Sequence, residues 1–262
     1  MRNLLLSLLL LLPWGACHAF VGDDALVDKG RRIESVWHLS LGKKYAKDSY
    51  LSMARFSGTE VTLQGEWSKR LPQSQSLGMC FDAEIGGSTL LNARRTKRMI
   101  DFGLEAGWSL FSRLRPLENL RVDVGGRLGI GGGLLYIASN GNNPVSARAD
   151  ADLSVVASAG WEIKIGKQRF LLSDTFRFPI AGLFFTPQYG ESYYEIYLGN
   201  HSGLVHFGSP WNRVHLHNVV SVGLPVGRTV LEIGYGLDYL SVSANHLKTR
   251  ILRDSFVLGV RF

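Results

Sequence analysis

Ile100-Asp101-Phe102-Gly103-Leu104-Glu105-Ala106-Gly107-Trp108-Ser109-Leu110 is the stretch that decides how this chain folds. Its even positions are apolar; its odd positions are acidic, glycine or serine. Successive side chains of a strand leave opposite faces, so the segment is oily on one side and polar on the other. It is also as long as a tilted membrane strand, which needs about 9–11 residues.

The same split recurs on both sides. Leu77, Met79, Phe81, Ala83 and Ile85 oppose Gly78, Cys80, Asp82 and Glu84. Leu120, Val122, Val124, Leu128 and Ile130 oppose Arg121, Asp123, Gly125, Arg127 and Gly129. Ala151 to Ile163 alternates, as do Thr229 to Tyr239 and the final Phe256-Val257-Leu258-Gly259-Val260-Arg261-Phe262. A soluble periplasmic sandwich also alternates. Three features favour the membrane instead: the length of the apolar faces, Trp67, Trp108, Trp161, Tyr235 and Tyr239 toward strand ends as a girdle, and polar faces mixing acids and arginines with glycine. Gly is 30 of 262 residues and aromatics are 11%, and no apolar stretch after residue 20 could span a bilayer as a helix.

Turn signals alternate short and long. Leu71–Ser74, Arg115–Glu118, Ile165–Gln168 and Pro225–Arg228 read as tight turns; Tyr45–Phe56, Ser88–Lys97, Tyr136–Arg148 and Ser243–Arg250 read as longer loops. Short periplasmic turns and longer outside loops build an antiparallel up-and-down barrel with both termini in the periplasm. The expectation is an all-β transmembrane barrel of twelve strands, or ten if 187–211 is a loop. Within Phe170, Leu172, Phe176 and Phe178, Asp174 shares the apolar face, which predicts a bulge or a subunit contact there.

The N-terminus reads as a Sec-type signal peptide over residues 1–19: Arg2, an apolar run from Leu4 to Leu12, then Cys17-His18-Ala19 before the cut. The barrel would occupy 20–262. A lipoprotein signal acylated at Cys17 is the alternative, against which Trp14 counts. Cleavage leaves Cys80 alone, so no intramolecular disulfide forms. The formal charge of +7 is spread along the chain. That suits anionic headgroups of outer-membrane lipids; a nucleic-acid groove would need clustered cations and stacking aromatics.

The terminal Phe262, after Phe256, Leu258 and Val260, resembles the signal read by the barrel-assembly machinery of Gram-negative bacteria. The segment Phe185-Thr186-Pro187-Gln188-Tyr189-Gly190-Glu191-Ser192-Tyr193-Tyr194-Glu195-Ile196-Tyr197-Leu198-Gly199-Asn200 resembles an uncharacterised family of outer-membrane-like proteins of Bacteroidetes, and the likeness extends from about Pro179 to the C-terminus. It implies an outer-membrane location and supplies no catalytic residues.

Lumen-lining candidates are Glu105, Arg121, Asp123, Arg127, Glu232, His215 and His217. His215 and His217 share a face and could hold a metal with His206 or Glu195; a hydrogen-bonded imidazole pair is the simpler reading. His201 and Ser202 are adjacent, so on a strand they point apart, unlike the aligned pair acyl transfer requires. Interior carboxylates could form a hydrolytic pair, but Arg121, Arg127 and Arg177 would neutralise them. Gly126 to Gly133 lacks the following helix and acid of a dinucleotide loop. The sequence therefore predicts no cofactor, metal or catalytic set: a structural or ligand-binding barrel, with a narrow porin and a lipid-modifying enzyme as alternatives.

Overall fold

The computed structural model describes residues 33–71, 74, 76–141 and 143–262; the expected signal peptide lies outside them. Eleven strands follow in order: β1 Glu34–Asp48, β2 Ser52–Arg70, β3 Leu77–Asn92, β4 Arg98–Leu117, β5 Leu120–Tyr136, β6 Val145–Ile165, β7 Gln168–Phe185, β8 Val205–Gly208, β9 Arg213–Val226, β10 Thr229–Ala244 and β11 Leu247–Arg261. Among the described residues one short helix, α1, spans Tyr193–Tyr197. No helix among the described residues is long and apolar enough to cross a membrane.

Every pairing is antiparallel. β1 closes on β11 and β6 on β7, so ten strands form a continuous ring with β8 as an extra piece. The stagger follows from the register. Stepping across paired residues from Ala157 in β6 through Phe176, Asn218, Leu237, Asp254, Lys43, Thr59, Thr89, Ile100 and Tyr136, the path returns to β6 at Val145, twelve residues away. That shear on ten strands implies a tilt of about 40°.

The wall is oily outside and polar inside, the reverse of a soluble domain. Leu41, Val61, Ile85, Leu104, Leu128, Leu153, Ile233 and Phe256 are exposed on the outer face. Trp37 and Trp67 meet edge to face there, with ring centroids 5.1 Å apart. At the end away from the termini, here called distal, the lumen turns apolar. Ala46, Leu51, Phe56, Leu90, Met99, Leu135, Ile137 and Ile251 form one buried cluster.

The count of twelve strands is corrected to the ten-strand alternative. The alternating Tyr194, Ile196 and Leu198 belong to a helix start and its exit: the Ser192 hydroxyl accepts from the Glu195 N–H, and the Glu195 carboxylate accepts from the Ser192 N–H at 2.7 Å. This capping box satisfies the orphan donors of a helix, so the segment winds rather than extends. The expected return at Leu204–Phe207 overlaps β8, which continues β9 instead of adding a strand. Gly182 pairs with Gly208 and Arg177 with His217, so four extra residues, Ser209–Asn212, bow out between β8 and β9. The Asn212 side-chain oxygen closes that excursion, accepting from the Ser209 N–H at 2.8 Å.

Two expected long loops are tight. β1 and β2 are joined by Ser49–Leu51 alone, and β10 and β11 by Asn245-His246. Both of the latter residues have positive φ, 52° and 59°, as a two-residue hairpin turn of the primed kind needs. The polarity read as loop belongs to strand ends that continue beyond the apolar band. No bulge falls at Asp174, which is outward and exposed and accepts from the Asn218 amide at 2.7 Å. The irregularity lies at Ile180, beside Pro179, whose missing N–H cannot join the ladder.

Candidate functional site

The lumen is where charged side chains converge, and β-strand alternation puts them there. At the terminal end Arg261 bridges Glu34 (2.5 Å) and Glu232 (2.7 Å), and Glu232 also meets His38 (3.2 Å) and the Ser221 hydroxyl (3.0 Å). Arg121 reaches Glu34 at 3.3 Å, and Arg113 holds Asp123 with two bonds of 2.8 and 3.0 Å.

Midway, Arg127 grips Asp82 through two bonds and reaches Glu105 at 3.0 Å; Arg177 meets Glu105 at 3.1 Å. Arg127 is 1% exposed. A Cβ at Gly107 or Gly129 would fall inside its guanidinium group, so these glycines are the bed on which it lies. On the distal side Arg253 pairs with Glu84 (2.7 Å), and Asp238 receives His215 (3.1 Å) and His217 (3.2 Å). Lys44 bridges Glu60 and Asp101, Arg148 also holds Asp101, and Arg213 holds Asp150 at 2.6 Å. Buried ion pairs of this kind fill space and neutralise one another; breaking one leaves a stranded charge.

Two of the cavities that remain lie among these charged layers. One of about 120 Å³ lies on the terminal side, lined by Glu34, Gln64, Asp82, Arg121, Arg127 and Arg261 among others. The other, about 100 Å³, lies between the Arg127 layer and the apolar cluster, lined by Glu60, Glu84, His215, Asp238 and Arg253. Each has room for several waters.

Glu105, Arg121, Asp123, Arg127, Glu232, His215 and His217 all project inward, but they do not form one site. They are spread over successive levels, each tied to its own partners. His215 and His217 converge on Asp238 rather than on a metal-ligand set: His206 stacks on Phe184 with ring centroids 5.4 Å apart, and Glu195 stands on α1. Among the described residues, no group of three His, Cys, Asp or Glu is placed to hold a metal. His201 and Ser202 are exposed in the distal loop, where the Ser202 carbonyl accepts from Gln188. Arg253, Lys44, Glu60, Arg261 and His38 were not singled out from the sequence. Counting back by twos from Arg261, on the face opposite Phe262, puts Arg253 inside, while the neighbouring Lys43-Lys44 pair conceals which lysine faces inward.

Over the distal mouth lies the segment between β7 and β8. The Tyr50 hydroxyl donates to the Glu191 carbonyl at 2.6 Å, and the Ala147 N–H donates to the Tyr193 hydroxyl at 2.6 Å. Burial first, then the neighbouring Tyr193 and Glu191, push the Tyr50 phenol up to about 12. Asn245 reaches the carbonyls of Thr186, Pro187 and Gly203 at 3.1, 3.2 and 2.9 Å.

The sequence matches the family described as protein of unknown function (DUF3316) over residues 4–261. The chain belongs to this DUF3316 family. The match takes in the whole barrel, well beyond the stretch from Pro179 that carried the resemblance. Among solved structures, the DUF3316 chain is similar to the outer membrane protease OmpT of Escherichia coli, with TM-score 0.52 and 10% identity over 94% of this chain and 98% of that one. It is also similar to the translocator domain of the autotransporter NalP of Neisseria meningitidis (TM-score 0.45, 8% identity, 89% of each chain). The transport unit of the autotransporter AIDA-I of Escherichia coli gives TM-score 0.45 and 9% identity over 100% of this chain and 96% of that one. No curated protein matches. The OmpT likeness establishes an outer-membrane-type β-barrel and nothing about activity.

Proposed function

We propose that this protein is a closed, non-conducting barrel of the outer membrane that acts through its surfaces, in a structural or ligand-binding role, rather than by passage or turnover. The carrying observation is the buried apolar cluster from Ala46 to Ile251 lying across the distal lumen above stacked ion pairs. A water-filled path would have to cross both. Export through the N-terminal signal, insertion by the barrel-assembly machinery at the strand ending in Phe262, and solvation of the wall by outer-membrane lipids complete the reading; it needs no cofactor and no nucleic acid.

A protease reading by analogy with OmpT finds little support in the lumen. Asp82, Glu84, Glu105 and Asp123 are each bound to an arginine, which leaves no poised carboxylate pair to activate water. For the lipid-modifying alternative, His201 and Ser202 stand exposed in the distal loop, and His38, two residues from Ser40 on the inner face of β1, is engaged by Glu232 at 3.2 Å. The test is planar-bilayer recording of the folded protein alongside heat-modifiable gel mobility. A heat-modifiable barrel that inserts without steady conductance steps supports the reading. Steady steps that change on reversing the charge of Arg121 or Arg127 would sink it in favour of a channel.

A further inference from the structure

The cations that matter most for partners lie outside the lumen. The lumen arginines described above are matched by carboxylates, so the chain's positive excess is carried elsewhere. On the outer wall at the distal end of β11, β1 and β2 it becomes concentrated. Lys47 of β1 and Arg250 of β11 are direct cross-strand partners. Both face outward, because Lys47 is flanked by Ala46 and Asp48, each 1% exposed inside the barrel. Lys248 is two residues from Arg250 on the same face, and Arg55 lies beside Lys47 where β2 slips register. Lys248, Arg250 and Arg55 are exposed. None of the four is in an ion pair with another described residue. The only acid on the outer face of these three strands is Asp254, and it stands opposite Lys43, two levels closer to the apolar band, beyond Tyr45 and Leu252.

Like charges directly opposed across a sheet destabilise it. A fold that neutralises its lumen so thoroughly leaves Lys47 and Arg250 facing each other with no internal counter-charge. An anion supplied from outside would relieve that repulsion. Its nature follows from what lies below on the same strands: Leu39, Leu41, Phe256 and Leu258 outward, then the cross-strand pair Lys43 and Asp254, then Tyr45 and Leu252, then the cations. Above the apolar wall and the opposite-charge pair Lys43–Asp254, a tyrosine and then a patch of cations stand where a lipid presents its interface and headgroup. Ser57, opposite Tyr45, and Ser241, opposite Arg250, add hydroxyl donors at that level.

We infer that the distal outer face of β11, β1 and β2 is a binding site for the phosphate-bearing headgroup of a lipid in the surrounding leaflet. Arg250 and Arg55 supply planar forks for phosphate oxygens, and Lys47 and Lys248 supply point charges. The inference rests on the outer-membrane reading above and adds a specific ligand class to it.

The test uses the full barrel refolded in neutral detergent and follows its thermal unfolding midpoint by loss of heat-modifiable mobility. Adding bisphosphorylated lipid A should raise the midpoint by several degrees; its dephosphorylated counterpart should not, nor should inorganic phosphate at matched concentration. The Lys47→Gln/Arg250→Gln variant should lose most of that rise while keeping or exceeding the wild-type midpoint without lipid, since the opposed charges are gone. Lys69→Gln/Lys167→Gln, at the other end, should keep the full rise. An equal rise in the Lys47/Arg250 variant, or with dephosphorylated lipid, or with free phosphate, overturns the proposal, as does a lipid-free midpoint that falls with the substitutions. Absence of any heat-modifiable barrel would instead overturn the membrane-barrel reading itself.

Discussion

Arg127 holds Asp82 by two parallel hydrogen bonds of 2.9 and 2.6 Å while its guanidinium lies flat against a wall that carries no side chain at Gly107 or Gly129. The pair joins β3 to β5 across β4 and separates the two cavities. Replacing Asp82 by Leu leaves the buried guanidinium with Glu105 alone and without its two-bond partner, and should cost about 3 kcal/mol. Asp82→Leu combined with Arg127→Met should recover much of that loss. Denaturant unfolding of the detergent-solubilised barrel measures both.

Gly107→Ala should act through the same arginine. The added methyl displaces the guanidinium, so its cost and that of Arg127→Met should fall well short of additive, with a coupling of about 1–3 kcal/mol. A double-mutant cycle on the unfolding free energy reads this directly; strict additivity would mean that the glycine serves something else.

Phe56 is fully buried in the distal cluster. Phe56→Ala should destabilise the barrel by about 3–5 kcal/mol. The same variant should let water past the apolar layer and so introduce flickering conductance in planar bilayers where the wild type is silent.

Tyr50 should ionise late. Its phenol is raised from the ordinary 10.0 to about 12, so the folded state keeps the proton longer than the unfolded chain does. The contribution is therefore whole below pH 10 and is lost as pH passes through about 12. Near-ultraviolet absorbance titration should show a late tyrosine component that Tyr50→Phe removes.

Asn245 combines a left-handed backbone, φ 52°, with carboxamide bonds to the segment over the mouth. Asn245→Ala should cost about 1–2 kcal/mol through strain and lost bonds. Asn245→Gly should relieve the strain yet still loosen the cover. Limited proteolysis between Pro187 and Leu204 should speed up in both variants.

The parity of side chains was readable wherever one face is uniformly apolar, as from Ile100 to Leu110, and that sufficed for strands, closure and the inward set around Arg127. It failed where the outer face stops being apolar. Ser241, Ser243, Lys248 and Arg250 continue β10 and β11 above the oily band, so polarity there mimics a loop while the backbone stays paired. It failed again at Tyr193–Tyr197, where apolar residues two apart suggested a strand but the Ser192–Glu195 reciprocity set a helix. Which partners meet across the lumen depends on register between strands distant in sequence, such as Arg253 with Glu84, and no local pattern carries that.

The bow at Ser209–Asn212 leaves the pairing on either side undisturbed, with Trp211 at its tip 91% exposed. Its length is thus decoupled from the geometry of the ring. Residues can be gained, lost or exchanged at that seam without re-registering a single neighbour, which makes it the natural place to graft an epitope or a fluorescent reporter and the position where relatives can diverge most cheaply.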